Sequence, residues 1–238
     1  MLTAIGGPGK EGLASITGSD SAWGYNLGAL FDLSPQTRVG LAYRSKIDYT
    51  LEGDITFASV PAPLAASPLL ANGPVKLAIT MPDSFSVSGF HQVNEKWDVM
   101  ADATWTKWSV FQQLKIDRTS GANVTTVTEN WEDTWRVAVG ANHHYNSQWT
   151  ARVGVAYDQA PVSDAYRTAR IPDNDRTWLS LGGQYKPSST SAIDFGYAHL
   201  FVSDAKIADN QTADGKGNLV GPYSNSVDIF SVQYTQNF

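Results

Sequence analysis

The side chains of this sequence best suited to chemistry are the adjacent pair His143-His144, two Asp/Asn-rich stretches and a set of spaced arginines. A histidine pair could ligate a metal or act as a general base, and a lipid hydrolase would need a Ser-His arrangement. Yet His143 and His144 fall in TWRVAVGANHHYNSQWTARVGVAYD, Thr134 to Asp158, where Trp135, Val137, Val139, Ala141 and Tyr145 alternate with Arg136, Ala138, Gly140, Asn142 and His144. Neighbours on a strand point to opposite faces, so the two rings cannot share a site. They read as interfacial residues beside a turn. IPDNDR at Ile171 to Arg176 and DGKGN at Asp214 to Asn218 offer oxygen ligands, but neither has the spacing of a calcium loop. Asp and Asn bonding their own backbone account for both. With no Cys, thiolate metal sites and disulfides are excluded. No catalytic residue, metal ligand or cofactor is assigned.

What positions these residues is the alternation itself. Past a turn at Asn146-Ser147 it resumes, with Trp149, Ala151, Val153, Val155 and Tyr157 set against Thr150, Arg152, Gly154, Ala156 and Asp158. A soluble sheet packs its apolar face on a second layer and fills it with large aliphatics. Here the apolar rows are bounded by Trp and Tyr, and the opposite face is small or charged. That pattern predicts a transmembrane β-barrel, with lipid outside, a polar lumen and aromatic girdles at the headgroups. Composition agrees: aromatics are 11%, charged residues 17% and the mean hydropathy is -0.25, as when half of each strand faces water. No apolar run reaches the roughly 18 residues of a membrane helix, so any crossing is by strands. A net charge of -6 argues against a nucleic-acid partner.

Along the chain, strands are predicted at Leu13 to Leu33, with an interruption near Gly18-Ser19-Asp20, then at Arg38 to Phe57, Lys76 to Val93 and Trp97 to Asp117. Pro82 marks a break in the third of these. The two strands of the Thr134 to Asp158 hairpin follow, then strands at Thr177 to Lys186, Thr190 to Ile207 and Asn225 to Phe238. Loops are expected at Ser59 to Val75, Arg118 to Asp133, Gln159 to Arg176 and Ala208 to Ser224, alternating with short turns. Short turns are periplasmic and long loops external in such barrels. Arg38, Arg44, Lys46, Arg136 and Arg152 then point into the lumen, where pairing with Asp48, Asp98, Asp102 or Asp158 is the structural reading and guidance of a carboxylate the functional one. Phe238, aromatic on an alternating strand, resembles the signal by which outer-membrane barrels engage their assembly machinery. Residues 1 to 238 read as a single barrel domain of about nine strands, the first beginning outside; since closed single-chain barrels have an even number, the reading predicts a partial wall with further strands upstream. The Gly- and Pro-rich start, MLTAIGGPGK, reads as a loop remnant, and no signal peptide is found there.

Three segments carry a more specific likeness: WGYNLGALFDLSPQTRVGLAYRSKIDYTLEGD at Trp23 to Asp54, WSVFQQLK at Trp108 to Lys115 and IPDNDRTWLSLG at Ile171 to Gly182. Each resembles the FadL-type family of outer-membrane transporters of long-chain fatty acids and aromatic hydrocarbons. The resemblance implies a barrel of about fourteen strands, of the even-numbered bacterial kind, plugged by an amino-terminal hatch, with this chain supplying strands six to fourteen. Substrate would be captured in an apolar groove between two external loops and released sideways through the wall. Ser59 to Val75 would be the second capture loop, which gives Leu64, Leu69 and Leu70 a purpose, and Trp108, Phe111 and Trp131 would line a pocket or pack as girdle aromatics. In the loop after Gln112-Gln113-Leu114-Lys115, where the family places a basic residue toward the carboxylate, this chain has Val127, a departure that points toward an uncharged hydrocarbon. The expected function is therefore passive, non-enzymatic transport of hydrophobic compounds across the bacterial outer membrane. A general diffusion porin or a structural barrel is the alternative, and a barrel enzyme acting on lipids comes third.

Overall fold

The computed structural model describes residues 12–212 and 217–237. Met1 to Lys10, most of the DGKGN stretch and Phe238 lie outside the described residues. The chain runs from β1 (Leu13–Ser19) into β2 (Asn26–Ser34), turns at Pro35-Gln36 into β3 (Thr37–Arg44) and continues as β4 (Ile47–Ala58). A connection with two single 3-10 turns, η1 (Ala62–Leu64) and η2 (Pro68–Leu70), leads to β5 (Gly73–Met81), β6 (Ser84–Asn94) and β7 (Trp97–Thr106). After the 3-10 turn η3 (Trp108–Val110) come β8 (Gln113–Arg118), β9 (Asn123–Thr128), β10 (Thr134–His144) and β11 (Trp149–Asp158). The chain then forms β12 (Arg176–Tyr185), β13 (Ser191–Val202), β14 (Ala205–Gln211), β15 (Gly217–Tyr223) and β16 (Ser226–Gln236).

Nine of these strands form one antiparallel sheet in the order β16-β13-β12-β11-β10-β7-β6-β3-β2, which is the predicted wall. Its register keeps the alternation aligned from strand to strand: Val137 faces Tyr157, Val139 faces Val155 and Gly140 faces Gly154. Tyr43, Phe85, Trp105 and Trp135 line up across four strands at one margin. At the other, Trp97 meets His143, and Trp149 and Tyr185 stack with ring centroids 4.5 Å apart. Trp135 to His143 covers about 26 Å along the strand, or about 20 Å of height once tilted, which fills most of the apolar band of a membrane barrel.

Between the two margins the large apolar side chains are bare. Val139 is 62% exposed, and Val137, Val153, Val155 and Leu181 are likewise open, so no layer formed by the described residues covers this face. The opposite face bounds a cavity of about 860 Å³ lined both by Leu30 of β2 and by Ser231 of β16. Those are the two edge strands, so the sheet curls around the cavity as an open half-barrel.

Five wall strands extend past the sheet. At 20–25, 45–46, 82–83, 107–112 and 129–133 the chain kinks and carries on into a second sheet ordered β1-β4-β5-β8-β9, the same neighbour order as β2-β3-β6-β7-β10 beneath it. Pro82, which lacks an N–H, makes one kink, as its position predicts. At another, Ser45 is buried and makes two bonds of 2.9 Å to the Tyr25 backbone, its hydroxyl accepting from Tyr25 N and its own N–H donating to Tyr25 O. Gly24 is required beside it, because a Cβ there would lie 2.8 Å from the Ile47 side chain.

Two expected loops are corrected. Arg118 to Asp133 contains β9, paired with β8 around Gly121 at φ +93°, and Ala208 to Ser224 carries most of the β14–β15 hairpin, whose first strand begins at Ala205 within the last part of the expected Thr190 to Ile207 strand. β9 exposes Asn123, Thr126 and Thr128, β14 exposes Lys206, Ala208 and Asn210, and β15 exposes the adjacent Leu219 and Val220, so none of the three shows an alternating apolar row on a charged background.

Candidate functional site

The mouth is built on the second sheet. One face of that sheet carries Leu51, Ile55, Val75, Leu77, Leu114 and Ile116 in register across β4, β5 and β8. Ile55 is only 1% exposed. Arg118 pairs opposite Val75, and its guanidinium donates to the carbonyls of Leu69 (3.0 Å) and Ala71 (2.7 Å). Asn72 Oδ1 accepts from Phe57 N at 2.7 Å. These bonds tie the 69–72 end of the 59–72 connection to β4 and β8 without burying all its leucines. Leu64 and Leu70 are half-buried, and Leu69 stays 70% exposed. A loop tethered beside Leu69 that still presents this leucine to water is suited to first contact with an apolar molecule.

Trp108, Phe111 and Trp131, grouped in the sequence by residue type alone, are brought into contact. Trp131 meets Trp108 edge-on at 4.9 Å between centroids and Phe111 edge-on at 4.7 Å, and η3 packs against β5. Gln112 Nε2 donates to the carbonyls of Ser109 (2.8 Å) and Trp131 (3.1 Å), and Ser109 N donates to Asp133 Oδ1 at 2.9 Å. The cluster is therefore pre-formed. Val127 lies within β9 opposite Leu114, not in a loop.

The sequence did not single out Glu129, which is 5% exposed in the break between β9 and β10. Its Oε2 accepts from Trp131 Nε1 at 3.1 Å. Burial pushes its carboxyl above the ordinary value, opposed by the Trp131 bond and by the more distant charge of Arg170. The signal was weak: an acid two residues past Val127, on the row its strand would bury.

Of the five arginines and lysines expected in the lumen, two are paired there. Arg136 Nη1 lies 3.4 Å from Asp102 Oδ2, and Arg152 Nη1 lies 2.7 Å from Asp194 Oδ1, which also accepts from Gln184. Gly182 stands between Arg152 and β13, so nothing blocks that reach across β12. Arg38 stacks over the Phe90 ring at 4.7 Å, and Arg44 has no ion pair among the described residues. Lys46 is a correction. It sits in the kink between β3 and β4, outside the wall, exposed and 2.9 Å from Asp48, so neither is a lumen charge. The Thr80 hydroxyl, then Lys46, hold the Asp48 carboxyl below its usual range.

The histidines diverge as their strand requires. His143 faces outward against Trp97, while His144 turns inward, with Nε2 2.7 Å from Asp98 and Nδ1 3.1 Å from Thr150 Oγ1. IPDNDR is loop architecture: Asp175 accepts from Ala160 N and from the Tyr157 hydroxyl, and Asn174 donates to Asp204 O. Its Arg176 bridges to Asp158 at 3.2 Å.

Known proteins resemble this arrangement along its whole length. A family model described as outer membrane protein transport protein (OMPP1/FadL/TodX) matches residues 1–238. A putative outer membrane protein of Neisseria meningitidis is 34% identical over 96% of this chain and 53% of its own length. The long-chain fatty acid transport protein of Escherichia coli K12 is 32% identical over 92% of this chain and 51% of its own. This chain thus spans about half the length of the curated relatives it matches. The crystal structure of a Pseudomonas aeruginosa FadL homologue superposes with a TM-score of 0.81 at 31% identity, covering 90% of this chain and 52% of that one. The Pseudomonas putida toluene transporter TodX, at 22% identity and a TM-score of 0.67, covers all of this chain and 56% of its own and shares the fold. The chain belongs to the outer membrane protein transport family that includes OMPP1, FadL and TodX.

Proposed function

We propose that this chain forms the wall and outer mouth of a passive outer-membrane transporter for hydrophobic small molecules. The observation that carries this reading is the exposed Leu69 on a tethered loop, with a pre-formed aromatic cluster on the same second-sheet end of the wall. An alkyl or aryl group leaving water for that surface gains about 0.8 kcal/mol per CH₂ buried, enough for capture without an energy source. The resemblance to long-chain fatty acid transport proteins and to a toluene transporter supports the same substrate class. In this reading no bond is made or broken, the lipid-facing valines contact outer-membrane lipid, and the terminal strand ending in Phe238 meets the barrel assembly machinery.

Leu64→Asp combined with Leu69→Asp in the full-length protein is expected to cut uptake of a long-chain substrate by at least about tenfold, since each buried leucine contributes about 1.5–3 kcal/mol. Uptake assays on whole cells check it, and unchanged uptake removes the loop from the pathway. One observation favours a porin instead: the cavity face carries small residues, Gly40, Ser88 and Gly140 among them. A porin gives steady ion conductance in planar bilayers, where a plugged transporter gives none.

A further inference from the structure

The Glu129 carboxyl sits inside the aromatic cluster of the mouth without a counter-ion. The Glu129 backbone is fixed: the N–H groups of Glu129 and Asn130 both donate to Gln112 O at 2.9 Å, and Asn130 turns the chain at φ +43°. Trp131, which donates to this carboxylate, is the ring that meets both Trp108 and Phe111. Among the described residues no Lys, Arg or His lies within ion-pair distance of it; Arg170, the cation that acts on it, is exposed and acts across a gap. A buried acid is ordinarily paired, because an uncompensated charge away from water is costly. This one instead lies beside Trp108 and Trp131, two half-buried rings that still reach the surface.

We propose that Glu129 sets the charge selectivity of the mouth: Trp108 and Trp131, backed by the buried Phe111, accept uncharged aromatic molecules, and the Glu129 carboxylate turns away ligands bearing an anionic headgroup. The inference rests on the transport reading above and narrows its substrate class. Edge and face contacts with the exposed parts of Trp108 and Trp131 hold a neutral ring. A ligand carboxylate seated about 6 Å from Glu129 meets like-charge repulsion that, at an effective dielectric of about 20, weakens binding on the order of a hundredfold.

The test uses the full-length protein in phosphatidylcholine nanodiscs, with equilibrium dialysis of radiolabelled toluene and 4-methylbenzoate at neutral pH and empty nanodiscs as background. Wild type binds toluene the more tightly. Glu129→Gln keeps an oxygen for the Trp131 N–H, so a merely structural role predicts no change in the ratio of the two affinities. Loss of charge predicts that toluene binding stays within about twofold while 4-methylbenzoate tightens by about tenfold or more. Glu129→Asp, which keeps the charge, retains the wild-type ratio. Toluene binding with the same ratio in wild type and Glu129→Gln overturns the proposal alone. Binding of neither probe by wild type overturns the transport reading and takes the proposal with it.

Discussion

Val139→Arg together with Val153→Arg is expected to abolish stable insertion of the barrel. Both side chains lie midway between the aromatic margins of the wall, and both are open on the outward face. An arginine at the bilayer midplane of a barrel costs about 2–4 kcal/mol, so the pair removes about 4–8 kcal/mol from a fold whose net stability is of the same order. The control is on the other face of the same wall. Gln184 donates to Asp194 at 2.9 Å, and Gln184→Lys leaves Asp194 a partner, so insertion should survive. Heat-modifiable migration of outer-membrane fractions reads both results. If the double arginine variant still runs as a folded barrel, lipid does not contact this face.

That test probes the feature most legible in the sequence. Alternation with aromatics at the margins is a property of side chains two apart, so it survives without any knowledge of neighbours, and the β10–β11 pairing has the register the hairpin implied. The kinks were only partly readable. Pro82 announces its own break, but Ser45 and Lys46 interrupt β3 and β4 without disturbing the parity that runs from Tyr43 to Ile47, so parity alone assigns Lys46 to the wall. NVTTVT in β9 was missed because threonines can line an open face as readily as a loop.

For the mouth, residue type was sufficient to group Trp108, Phe111 and Trp131, since large aromatics near one loop have few other places to go. Pairing in the lumen was not, because Arg152 reaches past a glycine to a strand two away, a contact set by sheet order and not by spacing. Buried charge was the least legible of all. Glu129 and Arg167 sit in polar surroundings in the sequence, and only the folded chain shows that each is enclosed.

Arg167→Met is expected to release the 159–175 connection. The Arg167 side chain is 1% exposed, although the loop that carries it connects the ends of β11 and β12. Its Nε donates to Asp173 O at 3.0 Å, its Nη1 to Lys206 O at 2.6 Å and to Asp164, and its Nη2 to Val162 O at 3.5 Å. One guanidinium thus fastens both limbs of the loop to each other and to β14. Methionine fills the volume but leaves those carbonyls without donors, and loss of one partner from a buried charged set costs about 3–5 kcal/mol. The loss falls on the loop and the β14–β15 hairpin, since the wall strands keep their ladders. Tyr166 is exposed beside it, so chymotrypsin cleavage there reports the opening. When opening is fast relative to cleavage, the rate follows the open population, and about 3 kcal/mol raises it on the order of a hundredfold. Arg167→Lys should fall between, because a single ammonium cannot reach acceptors spread around a planar fork. Equal cleavage of wild type and Arg167→Met would mean that the loop is held by its Asp175 contacts to Tyr157 and Ala160, with Arg167 only filling the space between.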